Sequence, residues 1–94
     1  MADRKIVHVL ISGTVQGVWF RAWTVQEAQA RALDGWVRNR RDGDVEAVFA
    51  GPGIQVDDMI RACHSGPPAA EVSIVNVTVS TDDPGRGFRK LPTA

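Results

Sequence analysis

A turn signal near the middle of the chain most constrains the fold. Asp42-Gly43 stands between two runs with strand composition, Trp36 to Arg41 and Asp44 to Ala50. An Asp-Gly pair between such runs is a strong local signal for a β-hairpin with a type I′ turn. The sequence therefore predicts an antiparallel strand pair at its centre, and the remaining elements must pack around it.

The segment before the hairpin predicts one strand and one helix. Residues 5–11 are largely β-branched and apolar, as in a buried strand. Residues 22–33 contain no Gly or Pro and are rich in helix-favouring side chains, so they predict a helix that Gly35 ends. Trp36 is expected to pack in the core.

The segment after the hairpin repeats this pattern. Apolar residues at 56, 59, 60 and 63 have helical spacing, and the run 66–68, Gly-Pro-Pro, predicts the end of that helix. Residues 71–79 predict a strand whose apolar phase slips between positions 74 and 75, which a β-bulge would produce. A short edge strand over 88–91 completes the expected elements.

The order strand, helix, strand, strand, helix, strand predicts an α+β fold, a ferredoxin-like (split βαβ) two-layer sandwich. Both helices would cover one face of an antiparallel sheet. Residues 1–94 are expected to form a single domain. Because this fold hosts many functions, the function must be argued from individual residues.

Composition excludes several classes of function. Eleven Lys and Arg residues balance eleven Asp and Glu residues, which argues against general nucleic-acid binding. No apolar run approaches the ~20 residues that span a bilayer, and no signal peptide is evident, so we expect no membrane association and a cytoplasmic location. A single cysteine, Cys63, excludes an intrachain disulfide and a cysteine-based metal site.

The stretch GTVQGVWFR, from Gly13 to Arg21, joins the first strand to the first helix. Its two glycines, Gly13 and Gly17, let backbone N–H groups approach a ligand, and a loop entering a helix N-terminus directs several donors at one anion. The planar guanidinium of Arg21 suits phosphate. The glycine spacing matches neither a Walker A loop nor a dinucleotide fingerprint. From the residues alone, an anion cradle and an ordinary glycine turn are equally open.

Asn39 is the second unusual residue, because Asn is depleted in strand interiors. Its carboxamide donates and accepts hydrogen bonds at once, so it could hold a water against a bound anion. A solvated polar strand face, with Arg38, Arg40 and Arg41 around it, explains the same residues and is the more common case.

Together these stretches closely resemble the acylphosphatase family. The matching motifs are Gly13-x-Val-Gln-Gly-Val-x-Phe-Arg21, Gly35-Trp-Val-x-Asn39-x-x-Asp-Gly-x-Val-Glu46 and Gly66-Pro-Pro-x-Ala-x-Val72. The resemblance implies hydrolysis of acyl phosphates to a carboxylate and inorganic phosphate, with Arg21 binding the phosphoryl group and Asn39 positioning the attacking water. It also implies phosphoryl binding by the backbone N–H groups of six loop residues: Val15, Gln16, Gly17, Val18, Trp19 and Phe20.

Such a site is expected to need no metal or cofactor. A carboxylate leaving group, whose conjugate acid has a pKa of about 4, departs at neutral pH without a general acid. Phosphoryl transfer depends chiefly on positioning and charge stabilisation, which Arg21 and the loop would supply. The expected small-molecule partners are an acyl phosphate substrate and inorganic phosphate as product and inhibitor, and the chain is expected to be a monomer.

Two alternatives share this fold. One is a non-catalytic module that binds phosphate or carbamoyl phosphate within a larger maturation protein; the chain end at Ala94 and the presence of both Arg21 and Asn39 favour the enzyme. The other, an RNA-binding domain, would carry aromatics on its central strands, and the strand from Ile6 to Ile11 has none.

Two segments depart from the family pattern. Arg31-Ala32-Leu33 stands where the family commonly has Leu-Gly-Leu, which leaves the end of the first helix open. The C-terminal segment from Phe88 to Pro92 matches the family's Phe-x-Ile strand only at Phe88, so the pairing of this strand is open as well.

Overall fold

The structure is a computed structural model, and it describes residues 3–94. Its elements in chain order are β1 (Arg4–Thr14), α1 (Phe20–Ala30), β2 (Asp34–Asn39), β3 (Val45–Pro52), α2 (Gly53–Ser65), β4 (Glu71–Val79) and β5 (Phe88–Lys90). The sheet order is β4-β1-β3-β2-β5, in which the four longer strands are antiparallel and β5 pairs parallel to β2. The ferredoxin-like α+β sandwich is confirmed, and β5 is an edge strand beside β2. No helix within the described range is long and apolar enough to cross a bilayer.

The core lies between the sheet and its two helices. Alternate residues of the strands point toward the helices and are almost fully buried: Val7, Val9, Ile11, Val37, Val45, Ala47 and Phe49. The helices contribute Phe20, Ala28, Val56, Met59 and Cys63 to the same cluster. The expectation that Trp36 joins this core is wrong. Strand alternation puts it on the opposite face from Val37, where the Arg38 guanidinium lies 4.8 Å from its ring centroid.

A β-bulge interrupts the regular pairing of β1 with β4, as the phase slip in the sequence predicts. Ser12 pairs with Ile74 and Gly13 pairs with Val72, so Ser73 is the extra residue of β4. A Cβ atom at Gly13 would lie 2.2 Å from the carbonyl oxygen of Glu71. Gly13 therefore allows the backbones of β1 and β4 to approach closely. With this pairing β1 continues to Thr14, beyond the predicted limit at residue 11.

The central hairpin is confirmed, but its predicted turn type is wrong. The Arg40 N–H donates to Asp44 O at 2.8 Å, and the Gly43 N–H donates to Arg40 O at 3.1 Å. Within this loop only Gly43 has a positive φ, 99°, whereas a type I′ turn needs positive φ at both central residues. Asp42 Oδ1 accepts the Asp44 N–H at 3.0 Å, and this bond favours the wider three-residue loop.

Helix α1 also ends earlier than predicted, at Ala30. The Leu33 N–H donates to Ala28 O at 2.9 Å and the Ala32 N–H donates to Gln29 O at 3.0 Å, which is the hydrogen-bond pattern of a Schellman motif. Ala32 has φ 55°, the left-handed conformation that glycine normally supplies there. The helix thus ends before Gly35 because the chain reverses at Ala32 and buries Leu33.

We expect Ala32→Gly to raise the free energy of unfolding by about 0.5–1 kcal/mol. The left-handed conformation costs an L-residue about 1–2 kcal/mol, and the greater freedom of glycine in the unfolded chain offsets part of the gain. Urea unfolding with an unchanged m-value measures the difference. The control, Gln26→Gly at an exposed position in the middle of α1, should lose about 0.5–1 kcal/mol. A less stable Ala32→Gly protein would contradict this account of the helix end.

A charged cluster lies on the sheet face that carries no helix. Glu46 Oε2 is 2.6 Å from His8 Nε2, and Glu46 Oε1 accepts a 2.7 Å hydrogen bond from Arg38 Nε. Burial alone would raise the pKa of Glu46, but the hydrogen bonds from His8 and Arg38 and their charges outweigh it, so the pKa is lowered. Glu46 is therefore a buried carboxylate that is stabilised in its ionised form.

Acidification should remove the stabilisation that Glu46 provides. Because its pKa is lower in the folded state, its contribution is complete above the unfolded-state value of about 4.3 and is lost as the pH falls through the folded-state pKa. Urea unfolding from pH 7 to about pH 3 measures this for the parent protein and for Glu46→Gln. The parent should lose more stability than the variant below about pH 4.3. Parallel stability curves would rule out the cluster as a source of the pH dependence.

Candidate functional site

A cavity of about 320 Å³ opens between the loop that precedes α1 and the adjacent edge of the sheet. Its lining residues are Val15, Gly17, Trp19, Phe20, Arg21, Ala22, Asn39 and Lys90. The structure therefore brings Arg21 and Asn39 to one cavity although they come from different elements. Four of the six predicted loop residues line it, whereas Gln16 and Val18 do not.

The loop backbone offers unused hydrogen-bond donors. None of the N–H groups of residues 15–19 donates to a backbone carbonyl of residues 3–94. Gly17 and Trp19 have positive φ values of 75° and 66°, on either side of Val18. Alternation of left-handed residues with others makes successive N–H groups converge on one point, which is the geometry of an anion-binding nest.

Trp19 holds a strained conformation at the start of α1. A positive φ is rare for a bulky residue, and the side chain of Trp19 is 81% exposed, so little burial offsets its strain. The flanking residues impose the conformation, since Phe20 is buried and the Trp23 N–H donates to Trp19 O at 3.0 Å. The side chain of Trp19 does not cap the helix. The first N–H groups of α1, at the end of the helix beside the cavity, therefore have no side-chain acceptor.

Arg21 is the second residue of α1 and is partly buried. Within residues 3–94 its guanidinium makes no ion pair, whereas Arg4, Arg31 and Arg38 each contact a carboxylate. The helix dipole disfavours a cation at this position unless an anion lies nearby. An unpaired arginine beside a ring of free N–H donors can therefore complete a site for a small anion.

Asn39 is the last residue of β2. Strand alternation puts it on the same face as Val37, toward the helices, and its carbonyl oxygen accepts the Ala94 N–H at 3.0 Å. The backbone is thus held on both sides, by β3 and by the C-terminal segment. No hydrogen bond joins its side-chain amide to another described residue, so the amide is available to a water or a ligand.

The side chain of Gln16 links the loop to the hairpin that follows Asn39. Gln16 Nε2 donates to Arg40 O at 2.7 Å and to Asp44 O at 2.9 Å. Both partners are carbonyl oxygens, so the amide nitrogen must face them. The sequence predicts only a backbone role for Gln16, because no local pattern reveals partners 24 and 28 residues away.

Other reactive side chains lie elsewhere. Cys63 is buried in α2, and burial raises the pKa of its thiol to about 12, so the thiolate form is disfavoured. No three His, Cys, Asp or Glu side chains of the described residues converge as a metal-binding group would require.

The sequence did not single out Lys90 as a site residue, although its departure from the family's Phe-x-Ile pattern was a usable signal.

Comparison with known proteins identifies the relatives of this chain. The acylphosphatase family model matches residues 7–90. A protein from Rhizorhabdus wittichii named acylphosphatase is 50% identical over 91 residues, covering 97% of this chain and 92% of its own length. An acylphosphatase from Rhodospirillum rubrum is 53% identical over 89 residues, covering 95% and 98%. The structure of an acylphosphatase from Coxiella burnetii matches with a TM-score of 0.91 at 36% identity, covering 95% of this chain and 94% of that one.

Proposed function

The chain belongs to the acylphosphatase family, and on this premise we propose that it hydrolyses acyl phosphates to a carboxylate and inorganic phosphate. The observation that carries the proposal is a cavity lined by Arg21 and Asn39, whose side chains have no partner among residues 3–94. Beside them lies a loop whose N–H groups donate to no backbone carbonyl of the same residues. The relatives named acylphosphatase match over nearly their whole length. This favours the enzyme over a non-catalytic phosphate-binding or carbamoyl-phosphate-binding module.

In the proposed complex, the loop and Arg21 hold the phosphoryl group. Its oxygens accept hydrogen bonds from the backbone N–H groups of residues 15–20, and the guanidinium of Arg21 forms two parallel bonds to it. These donors are already in position before the substrate arrives, so stabilising the transition-state charge needs little reorganisation. Gln16 keeps the loop beside the hairpin through its two carbonyl contacts.

Asn39 acts on the attacking water. Its amide oxygen accepts a hydrogen bond from the water, whose lone pair then faces phosphorus opposite the carboxylate. The water oxygen bonds to phosphorus as the bond from phosphorus to the acyl oxygen breaks, and the carboxylate leaves with the electron pair. The proton of the water passes to a phosphoryl oxygen. No general acid is required, because the carboxylate is a stable leaving group at neutral pH.

The molecular setting is part of the proposal. Residues 1–94 form one catalytic domain that works as a monomer in the cytoplasm. Its partners are small molecules, an acyl phosphate and inorganic phosphate. Size-exclusion chromatography with light scattering tests the monomer independently of activity.

Turnover of benzoyl phosphate tests the proposed function. Its hydrolysis is followed by ultraviolet absorbance, with the background rate subtracted and chelator present. We expect hydrolysis that saturates with substrate and scales with protein concentration. A folded protein without detectable turnover that still binds phosphate would identify the non-catalytic module instead.

Inorganic phosphate should inhibit this hydrolysis competitively and raise the melting temperature. A ligand that binds only the folded state stabilises it by about 2.7 kcal/mol at 100 times its Kd, which is on the order of 10 °C for a domain of this size. Differential scanning fluorimetry against phosphate concentration measures the shift. Sodium chloride at matched ionic strength serves as the control. Noncompetitive kinetics with an unchanged melting temperature would argue against a phosphate site in the loop.

A further inference from the structure

Lys90 lines the cavity but has no role in the mechanism proposed above. It is the last residue of β5 and pairs with Val37 of β2. Strand alternation puts Lys90 on the same face as the buried Phe88, toward the helices. Within residues 3–94 its ammonium makes no ion pair, whereas Lys5 contacts Asp57 at 2.7 Å.

The cavity is therefore lined by two cations, Arg21 and Lys90, that come from different walls and form no ion pair with the residues that the structure describes. Arg21 and the free N–H groups belong to the loop and the first turn of α1. Lys90 belongs to the edge strand, which lies one strand beyond Asn39 in the sheet order. A phosphoryl group held in the loop would leave Lys90 beside the other part of the substrate, the acyl group.

Two like charges in one small cavity repel each other unless a ligand carries negative charge to both. In the proposed complex the phosphoryl group lies against Arg21 and the loop, so a negative group on the acyl part of the substrate would match the charge of Lys90. The C-terminal segment matches the family's Phe-x-Ile strand only at Phe88, and Lys90 occupies the third position of β5.

We propose that Lys90 is a specificity-determining residue that binds a second carboxylate, on the acyl part of the substrate. The inference rests on the proposed function and names the substrate class within it: acyl phosphates derived from dicarboxylic acids. Lys90 attracts the distant carboxylate through its ammonium, while Arg21 and the loop hold the phosphoryl group. The reaction is unchanged, because the second carboxylate takes no part in bond breaking.

Matched substrates isolate the effect of the second charge. The probes are 3-carboxybenzoyl and 4-carboxybenzoyl phosphate, each compared with its neutral methyl ester. The ester keeps the approximate size of the carboxylate but removes its charge. Because the ester withdraws electrons more strongly than the ionised carboxylate, the two substrates differ in intrinsic reactivity, and this difference cancels when the preference of a variant is compared with that of the parent protein. The two isomers place the carboxylate at different distances from phosphorus. The measured quantity is the preference, defined as kcat/KM for the acid divided by kcat/KM for its ester.

For at least one isomer, Lys90→Met should lower the preference about fivefold, which corresponds to about 1 kcal/mol, the upper range for an exposed ion pair. Methionine keeps the length and the apolar stem of the side chain without the charge. Arg89→Met is the matched control, because the neighbouring β5 residue points to the opposite face, and it should leave the preference unchanged. Added salt should reduce the preference of the parent protein and leave that of Lys90→Met nearly constant.

Each failure has a distinct result. If Lys90→Met slows acids and esters equally, Lys90 contacts the phosphoryl group and the specificity role is wrong. If neither isomer shows a changed preference, Lys90 binds no carboxylate and the inference fails while the proposed function stands. If the parent protein hydrolyses neither benzoyl phosphate nor the acids, the proposed function fails and the inference fails with it. Inhibition by the non-hydrolysable 3- and 4-carboxybenzoylphosphonates and their methyl esters checks the same preference without turnover.

Discussion

Arg21→Lys is expected to fold with nearly unchanged stability and to lose almost all turnover of benzoyl phosphate. Lysine keeps the positive charge but replaces a planar fork of donors with a single mobile ammonium. The two parallel bonds to the phosphoryl group are lost, and phosphorus is no longer held at a fixed distance above the loop. A misplacement of about 1 Å in such a site can cost about 100-fold in rate. Steady-state kinetics and phosphate titration measure both losses.

Arg61→Lys is the matched control for this variant. Arg61 is exposed on α2, outside the cavity, and contacts Asp58 at 3.1 Å. It should keep the full rate and the full phosphate affinity. If Arg21→Lys retains more than about a tenth of the parent rate, about 1.4 kcal/mol of barrier, then charge alone suffices and the two-bond geometry is wrong.

Asn39→Ala should separate turnover from phosphate binding. The proposed partner of Asn39 is the attacking water, so phosphate affinity should stay close to that of the parent protein. The kcat should fall by about 100-fold or more, the scale observed when one preorganised catalytic hydrogen bond is removed. Kinetics with benzoyl phosphate and calorimetric titration with inorganic phosphate measure the two quantities on the same preparation.

Asn76→Ala provides the control, because Asn76 is an exposed strand asparagine on β4, outside the cavity. It should match the parent protein in both measurements. A folded Asn39→Ala protein with near-normal kcat would remove Asn39 from the mechanism. An equal loss of phosphate affinity and kcat would instead assign Asn39 to ligand binding.

The helices and strands were predictable where one local signal dominates. The apolar phase slip at residues 74 and 75 indicated the bulge at Ser73, because strand alternation makes each extra residue visible in the pattern. The end of α1 was not predictable, because Ala32 adopts a left-handed conformation that its side chain does not favour. Trp36 was placed on the wrong face because an amphipathic aromatic fits either a core or an exposed sheet face.

The site was predictable in part. The resemblance of the motifs singled out Arg21 and Asn39, and the structure brings both to one cavity. Without that resemblance, the residues were also compatible with an ordinary glycine turn and a solvated strand face. The Gln16 contacts were not predictable, because they depend on how the loop meets a hairpin elsewhere in the chain. Lys90 reaches the cavity only because β5 pairs parallel to β2, and a three-residue edge strand has too short a pattern to reveal its partner.

The central claim is that a water positioned by Asn39 attacks phosphorus held by Arg21 and the loop. Hydrolysis of benzoyl phosphate in ¹⁸O-enriched water tests it most directly, with the products separated and analysed by mass spectrometry. We predict that the label from the water enters inorganic phosphate and that benzoate stays unlabelled. Label in benzoate would show that the water attacks the carbonyl carbon, and it would contradict the proposed roles of the loop, Arg21 and Asn39.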